Sequence, residues 1–173
     1  WSCGGFNTTG QQNWRVIASV VTAKGVALVP FGRGASLAGV QIGGRGDVTD
    51  THKLWEVTTG ANVTSPVHFQ GRLYWASDKG VANCLDAKTG ESIFRERLPT
   101  RSRIYASIVR AGSKLYVTTR DKGVLVLNAA EKYEELARNV IADDQDMMNA
   151  SPAIIGDRLL LRTDSFLYCV GQK

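Results

Sequence analysis

Histidine, cysteine and long apolar runs are scarce in this chain, and each scarcity removes a class of function. The only two histidines among 173 residues are His52 and His68. They are isolated, with no carboxylate partner or nucleophile at a spacing that marks a catalytic constellation. Three cysteines, Cys3, Cys84 and Cys169, are an odd number at wide spacing with no Cys-x-x-Cys pair, which argues against a zinc site and a full disulfide framework. At most one bridge can form within the chain, and buried free thiols are expected. No apolar run approaches the ~20 residues needed to cross a bilayer, so membrane insertion is not expected. The first residues, Trp1-Ser2-Cys3-Gly4-Gly5, lack the basic start and apolar middle of a signal peptide, and Met is absent from position 1. The expectation is a processed or truncated piece of a longer protein.

Charge of one sign is not concentrated either. Basic residues number 21 and acidic residues 16, a formal excess of +5. This favours acidic partners weakly and falls short of the dense Lys/Arg stripe of a nucleic-acid binder. A hydrophobic share of 43% against 21% charged residues supports a folded core and excludes a disordered chain.

What the sequence does have is a repeat. A serine introduces a β-patterned block at Ser19-Val20-Val21, Ser65-Pro66-Val67, Ser107-Ile108-Val109 and Ser151-Pro152-Ala153, and these serines are 46, 42 and 44 residues apart. That period lies in the range of β-propeller blades. Within the second block, Val63 to Val67, Arg72 to Ala76, Val81 to Leu85 and Glu91 to Leu98 are short β-rich runs separated by Gly and Asp turns, the pattern of hairpin-joined antiparallel strands. The third block repeats this with Ser107 to Val109, Lys114 to Thr118, Val124 to Leu127 and a strand around Glu134 to Ala137. The first block follows with Val26 to Val29, Leu37 to Ile42 and Lys53 to Val57. The fold class expected is all-β, a propeller of four-stranded antiparallel blades with about four blades in this chain.

The expected boundaries are 1–13 for the last strand of a preceding blade plus connection, then blades at 14–60, 61–100 and 101–142. Residues 143–173 form a final blade lacking its fourth strand. A seven- or eight-bladed ring at this period needs roughly 300 to 350 residues. The ring is therefore expected to be completed by a missing N-terminal half or by a second chain, with a closed four-bladed ring as the third arrangement. Cys84 and Cys169 fall at matching places in blocks two apart, which holds them away from each other.

The run Leu85-Asp86-Ala87-Lys88-Thr89-Gly90-Glu91 before Ile93-Phe94, with Ser65-Pro66-Val67 and Gly71-Arg72-Leu73-Tyr74 upstream, resembles the repeat of quinoprotein-type propellers. That family includes the pyrroloquinoline-quinone (PQQ) dehydrogenases and the outer-membrane assembly lipoprotein that shares their repeat. Gly46-Asp47-Val48-Thr49 before Leu54-Trp55, Ala150-Ser151-Pro152-Ala153 and Leu167-Tyr168-Cys169-Val170 extend the resemblance over most of the chain, toward the C-terminal half of secreted bacterial proteins of this type. Asp86 is suited to bond turn amides, Gly90 to take a positive φ, and the following aromatic to cover the neighbouring sheet. Trp55, Phe94 and Tyr133 are read as that aromatic in the first, second and third blocks. The resemblance implies the fold and an extracytoplasmic setting, periplasmic or secreted. The adjacent cysteines of the quinone dehydrogenases have no counterpart here, so no cofactor and no catalytic residue is expected.

Arg95, Arg97, Arg101 and Arg103 fall within nine residues, and Asp143, Asp144 and Asp146 occupy the corresponding connection one blade later. Guanidinium groups pair well with oxyanions, and the two loops are expected on one face of the disk, bridged by salt links or forming a polar rim. The aspartates match no calcium-loop spacing. Arg15, Asn62, Tyr105 and Asn149 precede the first strands, near the central funnel. Arg101, Arg103, Tyr105, Asp143, Asp144, Asp146 and Asn149 are thus the candidates for binding a protein or glycan partner. The leading reading is a noncatalytic scaffold that presents loops. The alternatives are a fragment of a PQQ-dependent or related oxidoreductase whose catalytic residues lie in the missing half, and an extracytoplasmic sensor module.

Overall fold

A computed structural model describes residues 1–34 and 36–171. Among the described residues, fifteen short strands form four antiparallel sheets, each built from strands consecutive in the chain. The first sheet contains β1 (Val21–Ala23), β2 (Val26–Phe31), β3 (Ser36–Gln41) and β4 (Lys53–Val57). The second contains β5 (Val67–Phe69), β6 (Arg72–Ala76), β7 (Val81–Asp86) and β8 (Ser92–Arg97). The third contains β9 (Val109–Ala111), β10 (Lys114–Thr118), β11 (Val124–Asn128) and β12 (Glu135–Asn139). The last has three strands, β13 (Ala153–Ile155), β14 (Arg158–Arg162) and β15 (Leu167–Val170). This is the expected propeller architecture. Within the first thirteen residues the one pairing is an isolated bridge from Ser2 to Asp47.

The repeated serines have a common task. The Ser19 amide donates to Ser65 Oγ at 2.9 Å, the Ser65 amide to Ser107 Oγ at 2.8 Å, and the Ser107 amide to Ser151 Oγ at 2.9 Å. These bonds run sideways between blades, where a backbone N–H would otherwise lack a ladder partner. Each first strand accordingly starts two residues later than its serine, at Val21, Val67, Val109 and Ala153. The reading that put the strand starts at the serines or earlier is corrected on this ground.

Side chains alternate between the two faces of each sheet, and the core lies between blades. Between the first two blades Leu28, Leu37 and Leu73 are fully buried together with Trp75 and Leu85. Between the second and third, Tyr74, Ala76 and Cys84 of one blade meet Leu115, Val117, Leu125 and Leu127 of the next. Trp55 lies across β3 opposite Gly39, and the turn of the next blade closes over it. A β-carbon at Gly39 would stand 2.4 Å from the indole, and one at Gly90 2.7 Å. Gly90 also takes φ +77°, and Asp86 Oδ1 accepts the amides of Lys88 and Thr89 at 2.8 and 2.9 Å. Those hydrogen bonds, Thr89's first, hold the Asp86 carboxyl below its ordinary range.

Register places Phe94 opposite Cys84 and Ala137 opposite Val126, the places that match Trp55 opposite Gly39. Tyr133 is therefore not the matching aromatic of the third block. It stands in the turn before β12 and meets Phe94 of the preceding blade edge-on at 6.1 Å.

Cys84 and Cys169 do fall at matching places, opposite Tyr74 and Leu160. The expectation of buried thiols holds for Cys84 alone, which is 1% exposed, while Cys3 is half-buried and Cys169 exposed. Burial pushes the Cys84 thiol up to about 11. Cys169 differs because, among the described residues, no further sheet covers its side of the last blade, where Ile155 and Leu167 are 65% and 69% exposed.

Candidate functional site

The connection from β8 to β9, the β10–β11 hairpin and the connection from β12 to β13 meet on one face of the disk around a cleft of about 570 Å³. Two apolar anchors hold the connections there. Ile104 and Met148 are buried, and their amides donate to Asp78 O (3.4 Å) and Arg120 O (2.8 Å) of the adjoining hairpins. The Arg120 amide in turn donates to Arg103 O at 2.9 Å, and the Asp121 amide to Ser102 Oγ at 3.2 Å. Loops tied to blades in this way present side chains from fixed positions.

Arg101, Asp144 and Asp146 all line this cleft. The basic and acidic connections are neighbours, as their places in the repeat require. Of the two expected arrangements, salt links between them are not formed among the described residues. Arg103 pairs instead with Asp78 at 3.6 Å. Asp144 is held inside its own blade pair, with Oδ2 accepting the Tyr168 hydroxyl at 2.7 Å and Oδ1 the Asp146 amide at 2.8 Å. These bonds keep the Asp144 carboxyl below its ordinary range, the tyrosine hydrogen bond contributing most. The same bond, with burial and the three loop aspartates, raises the Tyr168 hydroxyl to about 12.

The other candidates lie outside the cleft. Asp143 and Asn149 are exposed, and the half-buried Tyr105 ring stacks under the Arg120 guanidinium at 5.5 Å. Asn149 borders a separate small hollow with Arg162 and Asp164. Sequence reasoning missed Asp121, Lys122, Arg138 and the apolar floor of Val140, Ile141 and Met148. The available signal was the hairpin Arg120-Asp121-Lys122-Gly123, whose charged tip belongs to the same face as the connections.

The site therefore combines exposed Arg101 and Lys122, the fixed Asp144 and an apolar strip that includes Val140, 67% exposed. Arg138 is committed to Glu135 at 3.1 Å. Such a surface can recognise both charge and apolar contact. Among the described residues, no three His, Cys, Asp or Glu side chains converge as metal ligands, and no helix is long and apolar enough to cross a membrane.

Blades with this serine-led opening, one of them with the Asp-to-Gly turn and two with the interblade aromatic, form a β-propeller of PQQ-like repeats. The chain belongs to the family described as outer membrane protein assembly factor BamB, whose family model matches residues 5–165. Among solved structures it is similar to BamB from Moraxella catarrhalis, at a TM-score of 0.71 and 14% identity, over 90% of this chain and 43% of that one. It is also similar to the computationally designed Ika4 protein, at a TM-score of 0.67 and 13% identity, over 94% of each chain. A europium-containing methanol dehydrogenase matches at a TM-score of 0.57 and 11% identity, over 73% of this chain and 25% of that enzyme. These identities carry the fold alone. The chain spans less than half the length of the Moraxella BamB. No curated protein matches it.

Proposed function

We propose that this chain is a propeller segment with no reaction of its own, and that it presents the cleft face to a protein partner outside the cytoplasm of a bacterium. The observation that carries this reading is the cleft itself. It sets two cations that form no ion pair among the described residues, Arg101 and Lys122, beside the apolar strip of Val140, Ile141 and Met148, on loops anchored by hydrogen bonds between blades. Charged groups around an apolar centre suit a protein surface, since charge sets orientation while apolar contact supplies affinity. The family's description as an outer membrane protein assembly factor supports both the partner class and the location.

Further blades complete the ring, supplied by the remainder of a longer protein. The open side of the last blade, with Ile155, Leu167 and Cys169 exposed, supports this, as does the 43% coverage of the Moraxella BamB. The test is capture from a bacterial envelope extract by the immobilised chain and by an Arg101→Glu/Lys122→Glu variant. The wild-type chain is expected to retain a defined protein that the variant loses at unchanged melting temperature. Equal retention by both, or none by either, overturns the reading.

A further inference from the structure

A second depression, of about 470 Å³, lies against the first blade and is lined by Gln12, Asn13, Trp14, Arg15 and Arg33. We propose that it binds an anionic saccharide, a sugar ring bearing a carboxylate or a phosphate. Neither Arg15 nor Arg33 has an acidic partner among the described residues. Both are exposed, and no carboxylate lines the depression, in contrast to the mixed charges of the cleft. Two guanidinium groups without an internal counter-charge suit an oxyanion from solvent. The half-buried Trp14 lines the depression with them, and an indole is a flat apolar group of the kind that covers the C–H face of a pyranose. The Asn13 and Gln12 amides add donors and acceptors for hydroxyl groups. This is the chemistry of a charged sugar rather than of a bare anion, for which the indole and the amides would be superfluous.

The surroundings hold these groups in place. Asn7 braces the loop that carries Gln12 to Arg15, its side chain accepting the Gln11 amide at 3.0 Å and donating to Gln11 O at 3.2 Å. Phe6 packs edge-on against Phe31 with ring centres 5.1 Å apart, which joins that loop to the hairpin bearing Arg33. Arg33 itself has φ +57°, a left-handed conformation that L-residues seldom take.

The test is calorimetric titration of the whole chain with glucuronate, glucose 6-phosphate, glucose and inorganic phosphate, repeated on Trp14→Ala, Arg33→Gln and Arg101→Gln. The expected result is saturable binding of one or both charged sugars, about tenfold or more tighter than glucose or phosphate alone. Trp14→Ala and Arg33→Gln should each weaken it by about tenfold, as expected for loss of a charge-assisted hydrogen bond or an aromatic contact. Arg101→Gln, in the other cleft, should leave it unchanged. Binding of phosphate as tight as that of glucose 6-phosphate would overturn the proposal. So would the absence of saturable sugar binding, or full affinity in Arg33→Gln, whose exposed hairpin position keeps folding out of the comparison.

Discussion

Replacing Trp55 by alanine tests the packing logic of the whole repeat, because one indole joins two blades. An aromatic side chain of this size buries about 150 to 250 Å², and at about 25 cal/mol per Å² this amounts to roughly 4 to 6 kcal/mol. Trp55 is only partly buried, and its Nε1 is enclosed without a hydrogen-bond partner, a cost of about 1 to 3 kcal/mol that leaves with the ring. The net expectation for Trp55→Ala is a loss of about 2 to 4 kcal/mol.

The two glycines around the ring sharpen the test. A β-carbon at Gly39 collides with the indole, to which its three nearest neighbouring atoms all belong, at 2.4 to 2.7 Å. Gly39→Ala should therefore destabilise the wild-type chain but be nearly neutral in the Trp55→Ala background. Gly90→Ala should keep a residual penalty of about 1 to 2 kcal/mol in both backgrounds, because Gly90 has φ +77° whether or not the ring is present. Urea unfolding of the five variants, read as a double-mutant cycle, measures these terms. A Gly39→Ala penalty that is the same in both backgrounds would refute the packing argument, as would a Trp55→Ala loss below about 1 kcal/mol.

Two further outcomes are expected. Ser107→Ala removes the acceptor for the half-buried Ser65 amide and should cost about 1 to 2 kcal/mol in urea unfolding. Ser107→Thr, which keeps a hydroxyl, should recover part of it. The Asp144–Tyr168 bond should shape the pH response of the acidic connection. The Asp144 carboxyl is depressed, so its contribution is present above the unfolded carboxylate range and lost as pH falls through the folded value. The Tyr168 hydroxyl is raised, so its contribution is complete below the ordinary tyrosine value and lost as pH rises through about 12. In NMR titrations, Tyr168→Phe should move the Asp144 carboxyl back toward its ordinary range, and an unmoved carboxyl would contradict the hydrogen bond.

Much of the architecture was legible because its causes are local. The serine spacing reports a bond made once per blade, and Asp86 to Gly90 reports a turn whose side chain and φ are fixed by those residue types. The misses concern partners chosen by tertiary register. Tyr133 has the right residue type in the right block, but the β11–β12 register gives the matching place to Ala137. Arg103 and the aspartates share a face as their places in the repeat imply. Yet Asp78 from a hairpin and Tyr168 from the last strand reach them first. Lys122 escaped notice because a charged hairpin tip has the same local pattern whether it lines a cleft or faces open solvent.

The row of serine bonds also has a direction. Each of the first three blades gives an amide proton to the blade after it and each of the last three offers a hydroxyl to the blade before it, so the two middle blades carry a plug on one flank and a socket on the other. Whole repeats can then be duplicated or deleted in evolution without orphaning any member of the row, since the ends left by a cut always match. The number of blades is thus free to vary in single steps at the level of this join, and what limits it is the curvature set by the packed sheets.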